Sequence, residues 1–148
     1  MIVNIGTVRL GTGHDVSDAQ SLAAIVLDPT GAGLDAALLA RTRLLAALIL
    51  HVCYAPDDTE RPLRLMRVSG ASDAAAPREL LLEVRNTSFR HPKLLAEWNE
   101  TIVRPYIIEA IDAVLALGDR ELAACMTFIR EQVASCVPWG SKNGFSLN

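Results

Sequence analysis

Aromatic residues make up only 5% of this 148-residue chain, while hydrophobic residues make up 51%. The apolar content is therefore carried by Leu, Ala, Ile and Val, which favours packed helices over a β-sandwich built on aromatic and β-branched runs. Cysteine is sparse and odd in number: Cys53, Cys125 and Cys136 lack C-x-x-C spacing, which argues against a disulfide framework or a zinc knuckle. On one helix Cys125 and Cys136 would share a face about 16 Å apart, too far to bridge, so three reduced thiols are expected. Long hydrophobic runs are missing as well. The longest, Leu44 to Leu50, follows Arg41 and Arg43 and ends at His51, short of the roughly 30 Å of a bilayer core, so no transmembrane helix is expected. Met1 to Arg9 lacks the basic start and apolar stretch of a signal peptide. The expected location is the cytoplasm, without membrane contact by this segment. A formal net charge of −3 excludes a globally basic nucleic-acid binder and confines any such site to a local patch.

Catalytic and cofactor motifs are also wanting. Gly140-Ser141-Lys142 lacks the upstream glycine and strand of a phosphate-binding loop, and Gly11-Thr12-Gly13 lacks the third glycine of a dinucleotide fingerprint. The three histidines, His14, His51 and His91, have neither H-E-x-x-H spacing nor a second ligand one turn away. His51, within an apolar stretch, reads as a hydrogen-bonded structural histidine. His14 beside Asp15 could form an acid–base pair, but no nucleophile or oxyanion donor accompanies it. The acidic pairs Glu79/Glu83 and Glu109/Asp112 read as ordinary helix surface. The expectation is a protein that binds other macromolecules, with no catalytic site, no cofactor and no metal.

What is present is helical periodicity. The length suits one domain, an all-α bundle of about five to seven helices over residues 7–136, with an accessory tail at 137–148. Met1 to Gly13 alternates loosely and suggests a short extended segment. Ser17-Asp18-Ala19-Gln20 has the form of a capping box, after which Leu22, Ile25 and Val26 supply an apolar face, and Asp28-Pro29-Thr30-Gly31 ends the helix. From about Asp35 to Tyr54, Leu38, Leu45, Ile49 and Val52 recur at three- and four-residue steps or their multiples, which predicts a central buried helix. A short helix follows from Pro62 to about Val68, then a loop over Ser69 to Ala76, then a helix from Pro77 to Asn86 burying Leu80, Leu81 and Val84. A run from His91-Pro92 carries Leu95, Trp98, Ile102, Ile108, Ile111 and Leu115 and should kink or break near Val103-Arg104, ahead of Pro105. Gly118 stops it, and Asp119 is expected to cap a last helix to Cys136 with Leu122, Met126, Ile129 and Val133 inward.

Arg61, Arg64 and Arg67 form a basic line at three-residue spacing, and Arg85, Arg90 and Lys93 bracket the next junction. Together they are the candidate site for phosphates or an acidic partner. The same residues also fit a solvated helix face opposing Asp57, Asp58 and Glu60.

Arg9-Leu10-Gly11-Thr12, Val16-Ser17-Asp18-Ala19-Gln20 and Asp28-Pro29-Thr30-Gly31-Ala32-Gly33 together resemble a stretch of the type IV coupling proteins of conjugation and type IV secretion, the TraG-like ATPases. The likeness continues through Leu44-Leu45, Ile49-Leu50-His51 and Tyr54, and more weakly through His91-Pro92 and Asp119-Arg120-Glu121-Leu122. It covers about Thr7 to Cys136. Departures fall near Leu38-Leu39, over Ala123 to Thr127, from Trp98 to Tyr106, and in the tail. In that family the stretch is an all-α domain inserted in a hexameric motor whose ATP-binding motifs lie elsewhere. The resemblance implies recognition of a relaxase or relaxosome, or of a secreted effector protein, with DNA as a weak and non-specific further ligand and the parent motor ATPase as host. The alternative is a free-standing helical regulatory or protein-interaction module.

Overall fold

Leu44, Leu45, Ala46, Ala47, Leu48, Ile49 and Leu50 are all fully buried, so helix α2 (Ala36–Tyr54) is surrounded on every side over this stretch. A computed structural model describes residues 7–31, 33, 35–55, 58, 60–68, 75–87 and 93–134, omitting the side chains of Leu63, Met66, Arg67, Val68, Lys93, Leu94 and Ala134. Among the described residues every regular element is helical: α1 (Asp15–Leu27), α2, α3 (Glu60–Val68), α4 (Ala75–Asn86), α5 (Lys93–Trp98), a π turn (Asn99–Val103), α6 (Arg104–Leu115) and α7 (Asp119–Ala134). Because α5, the π turn and α6 run on without a break, the described residues form six helices, within the expected five to seven. Around α2 lie α1, α6 and α7, while α3 and α4 pair with each other and lean on α7 and α6 respectively. The nineteen residues of α2 rise about 28 Å. By length and composition it could cross a bilayer, but over half of its apolar window is buried inside the fold.

Several ends form by means other than those expected. Residues 7–13 make turns in place of an extended segment, with Gly11 and Gly13 at positive φ. The positive φ at Gly11 is the reason this turn needs glycine, and a Cβ there would also displace the Leu95 side chain, whose Cδ2 it would meet at 2.7 Å. The capping box does not form: α1 starts at Asp15, His14 occupies the N-cap without a side-chain bond, and the Ser17 hydroxyl donates to the His14 carbonyl. Gln20 instead reaches across to Tyr106. The inward face of α1 is Ala19, Ala23, Val26 and Leu27, whereas Ile25 is half exposed. Asp35 caps α2, its carboxylate accepting from the Leu38 amide at 2.8 Å. The last helix is capped at Gly118 and not at Asp119, with Glu121 accepting from the Gly118 amide at 3.1 Å, the reaching-back half of a capping box.

Pro105 does not break its helix. An α-helical turn would press the proline ring against the carbonyl four residues back. Here the Arg104 amide bonds the Asn99 carbonyl, five residues back, and the widened π turn makes room. The extra residue rotates the following face by about 100°. Ile102 therefore points outward, and the inward set becomes Val103, Ile107, Ala110, Ile111 and Val114. In α4, Leu80, Leu81 and Val84 are buried as expected, and in α7 so are Leu122, Met126, Ile129 and Val133. His91, Pro92, Cys136 and the 137–148 tail lie outside the described residues, as does most of the expected 69–76 loop; Ala75 and Ala76 already belong to α4.

Candidate functional site

Among the described residues, two networks of polar side chains lie inside the bundle. Asp15, fully buried in the first turn of α1, accepts from the Tyr54 hydroxyl and the Trp98 indole, each at 2.6 Å, and from the Val16 amide at 2.9 Å. Tyr54 in turn accepts from the Gly11 amide at 3.1 Å. One carboxylate thus joins the N-terminal turn, α1, α2 and α5, and it sits where the α1 dipole favours a negative charge. With all of these bonds directed at Asp15, it is a structural anchor and the adjacent, exposed His14 is not its acid–base partner. The hydroxyl of Tyr54 is driven above its usual range by burial and by the Asp15 carboxylate.

The second network starts at His51, which is buried and lies 2.8 Å from the Asp58 carboxylate through Nε2. Its Nδ1 faces the Arg104 guanidinium at 3.5 Å. Arginine can only donate, so Nδ1 accepts and the proton resides on Nε2, pointing at Asp58. Burial lowers the His51 pKa and outweighs the pull of Asp58 in the other direction. Asp58 continues to Arg61 at 3.0 Å, and Arg61 lies 3.7 Å from Glu83. Burial pushes the Asp58 carboxyl up, but His51 and Arg61 together bring it below the usual range. The expected structural role of His51 is what these bonds describe.

Two arginines cap each other's helices. Arg104, at the start of α6, donates to the carbonyls of Val84 and Arg85 at the end of α4. Arg78, in the first turn of α4, donates to the carbonyls of Leu115 and Leu117 at the end of α6, at 2.8 and 2.6 Å. Each guanidinium meets carbonyls that have no intrahelical partner, at the negative end of a helix dipole.

Against this background the basic candidates separate. Arg61 is engaged with Asp58 and Glu83. Arg85 holds Asp112 through two bonds, at 2.6 and 3.2 Å, which lowers the Asp112 pKa and raises that of Arg85. Arg64 is exposed on α3. The side chains of Arg67 and Lys93, and all of Arg90, lie outside the described residues. The carboxylates Glu83 and Asp112 therefore serve as partners for this basic edge. Burial pushes the thiols of Cys53 and Cys125 up to about 12 and about 11, so both stay protonated and poorly nucleophilic at neutral pH. Among the described residues no group of three or more His, Cys, Asp or Glu side chains is placed to hold a metal ion.

A concavity that the motif reading missed lies between α1, the first half of α2, and α6. It has a volume of about 390 Å³ and is lined by Ala36, Leu39, Ala40 and Arg43 of α2 and by Tyr106, Glu109, Ala110 and Ala113 of α6, with Gln20 of α1 at its side. Gln20 donates to the Tyr106 hydroxyl at 3.1 Å. The tyrosine is raised above its usual range, first by burial, with Glu109 adding to the shift and Gln20 and Arg43 opposing it. Arg43 and Glu109 thus lie near Tyr106, and Leu39 is 36% exposed. The available signal was spacing: both quartets fall at i, i+3, i+4, i+7, but alanine dominates them and carries little weight in a search for large apolar faces.

No family model and no solved structure matches the chain. Over 64 residues, 43% of its length, the chain is 38% identical to a conjugal transfer protein TraG of Escherichia coli. Over 52 residues, 34% of its length, it is 42% identical to a second Escherichia coli protein of that name. The matched stretches make up 10% and 8% of those two proteins, so the chain is similar to a small part of a conjugal transfer protein, over less of its own length than the resemblance from Thr7 to Cys136 implied.

Proposed function

We propose that this chain is a substrate-recognition domain of the coupling-protein type, binding a relaxase or relaxosome, or a secreted effector protein, on the cytoplasmic side. It has no catalytic or ATP-hydrolysing activity of its own, and transport energy comes from a motor. The observation that carries this reading is the 38% identity over 64 residues to a protein of conjugal transfer. The groove between α2 and α6 supports it, because a concave, largely apolar surface with a few polar groups is the usual form of a recognition site. The test is calorimetric titration of the purified chain with a purified relaxase from a conjugative system. Saturable binding is expected, and no heat up to the solubility limit would sink the proposal.

DNA is the weaker half of the reading. Arg61 and Arg85 already hold carboxylates, so a phosphate must displace an existing partner at both. Binding is then weak and insensitive to sequence. The triple variant Arg61→Ala/Arg64→Ala/Arg67→Ala should flatten the slope of log affinity against log salt by up to roughly three, at about 0.9 per phosphate. A wild-type chain that gives no gel shift at low ionic strength removes DNA and leaves protein recognition. A second reading, the free-standing helical interaction module, draws on the match covering less than half of the chain. It gains if binding is found to proteins unrelated to conjugation and not to relaxases.

A further inference from the structure

We infer that the groove between α2 and α6 receives a short amphipathic α-helix of the partner protein. This rests on the protein-recognition reading above and deepens it by naming the partner's form. Ala36, Leu39, Ala40 and Arg43 occupy one face of α2, and Tyr106, Glu109, Ala110 and Ala113 one face of α6, each at the i, i+3, i+4, i+7 spacing with which helices present a face to a neighbouring helix. Farther along, α2 is enclosed on all sides, while over these turns the two stripes border open space. Eight residues of helix rise about 10 Å, so the walls match some two turns of a third helix. Alanines at 36, 40 and 113 allow a close approach of its backbone.

The walls also argue against an extended peptide. Such a segment would have to satisfy its own N–H and C=O groups, and helical walls, already bonded within themselves, offer it no sheet edge. A helix brings its backbone bonds with it and needs only side-chain anchors. Charge specifies the occupant further. Among the described residues neither Arg43 nor Glu109 forms an ion pair, and both act on Tyr106. The incoming helix therefore carries apolar side chains toward the Ala36, Leu39 and Ala113 end, and toward the Tyr106 end an acidic residue for Arg43 and a basic one for Glu109.

The probe is a phage-displayed library of random peptides of about 16 residues, long enough to form a marginal helix, panned against the full chain. Enriched sequences should repeat apolar residues at three- and four-residue steps, include an acidic residue beside them, and become helical by circular dichroism on binding. Ala36→Trp and Ala113→Trp, both at exposed positions, should each weaken that binding at least about tenfold (about 1.4 kcal/mol) while leaving the helical spectrum of the chain unchanged. Arg43→Glu should select basic residues in place of acidic ones. No enrichment, enriched sequences without helical spacing, binding that survives both tryptophans, or self-association of the chain that the tryptophans abolish would each overturn the inference. Relaxase binding that both tryptophans leave intact would remove the groove but keep the proposed function. Selected helices that use the groove, without any relaxase binding, would do the reverse.

Discussion

Helix α2 passes through two environments without interruption. From Leu44 to Leu50 every side chain is fully buried; from Ala36 to Arg43 the helix has one packed side and one open side. On the packed side Thr42 is buried and the Arg41 guanidinium lies over the Phe128 ring at 4.6 Å from its centroid, a cation–π contact to α7. On the open side are the four α2 residues of the groove. Helix formation is common to both halves, and what differs is whether neighbours surround the cylinder. The enclosed half holds the bundle together, and the open half leaves shaped surface that the fold does not use.

The contrast breaks if the two halves respond alike to truncation. Leu48→Ala, in the enclosed half, should destabilise by about 3–5 kcal/mol through lost transfer energy and the cavity left behind. Leu39→Ala, in the open half, should cost under about 1 kcal/mol. Urea unfolding followed by circular dichroism measures both, and equal losses would mean that the groove is closed in solution. Next in size is the anchor at the end of the enclosed half. Asp15→Ala leaves the Tyr54 hydroxyl and the Trp98 indole without their common acceptor and should cost about 2–3 kcal/mol, the penalty for buried groups left unbonded.

A smaller effect depends on pH. The folded pKa of His51 is depressed by burial, so between that value and about 6.5, the ordinary histidine value, the unfolded chain binds more protons than the folded one. Stability should therefore fall as pH drops through this window. His51→Gln should flatten the fall, as followed by the urea midpoint. Asp58 and Asp18 act in a separate, more acidic window. The Arg9 side chain and then its amide hold Asp18 at about 2, and the stability from both carboxylates is lost as they protonate below about 4. A wild-type curve flat from pH 7 to 5 would mean that His51 is not held neutral in the fold. Smallest of all should be Ala36→Leu on the open side, within about 0.5 kcal/mol of wild type. A larger loss would show that the α2 wall is packed more tightly than its exposure indicates.

The elements were legible in the sequence where a run of large apolar residues repeats in phase. Leu122, Met126, Ile129 and Val133 of α7, and Leu80, Leu81 and Val84 of α4, all lie inward. Legibility failed where a tertiary partner overrode a local rule. Ser17 and Gln20 have the spacing of a capping box, yet Gln20 is drawn to Tyr106, 86 positions away. Pro105 pointed to a kink or break near Val103-Arg104, and the irregularity there takes the form of a π turn, which keeps the helix continuous and moves Ile102 outward. The site was less legible than the fold. A row of arginines is conspicuous in sequence, and Asp58 lies only three residues before Arg61, but Glu83 and Asp112 reach Arg61 and Arg85 only through the folding of α3, α4 and α6. The groove was obscured for the opposite reason, since four of its nine lining residues are alanines, which carry little weight in a search for large apolar faces.

The crossed arginines of α4 and α6 bear on how this part of the molecule opens. Since Arg78 holds the last carbonyls of α6 and Arg104 those of α4, fraying at the end of either helix strips a bond from the beginning of the other. Local fluctuation is thereby converted into a shared one. The amides of these two helices should exchange with solvent as a single cooperative unit, with one opening free energy in place of a gradient from tip to centre.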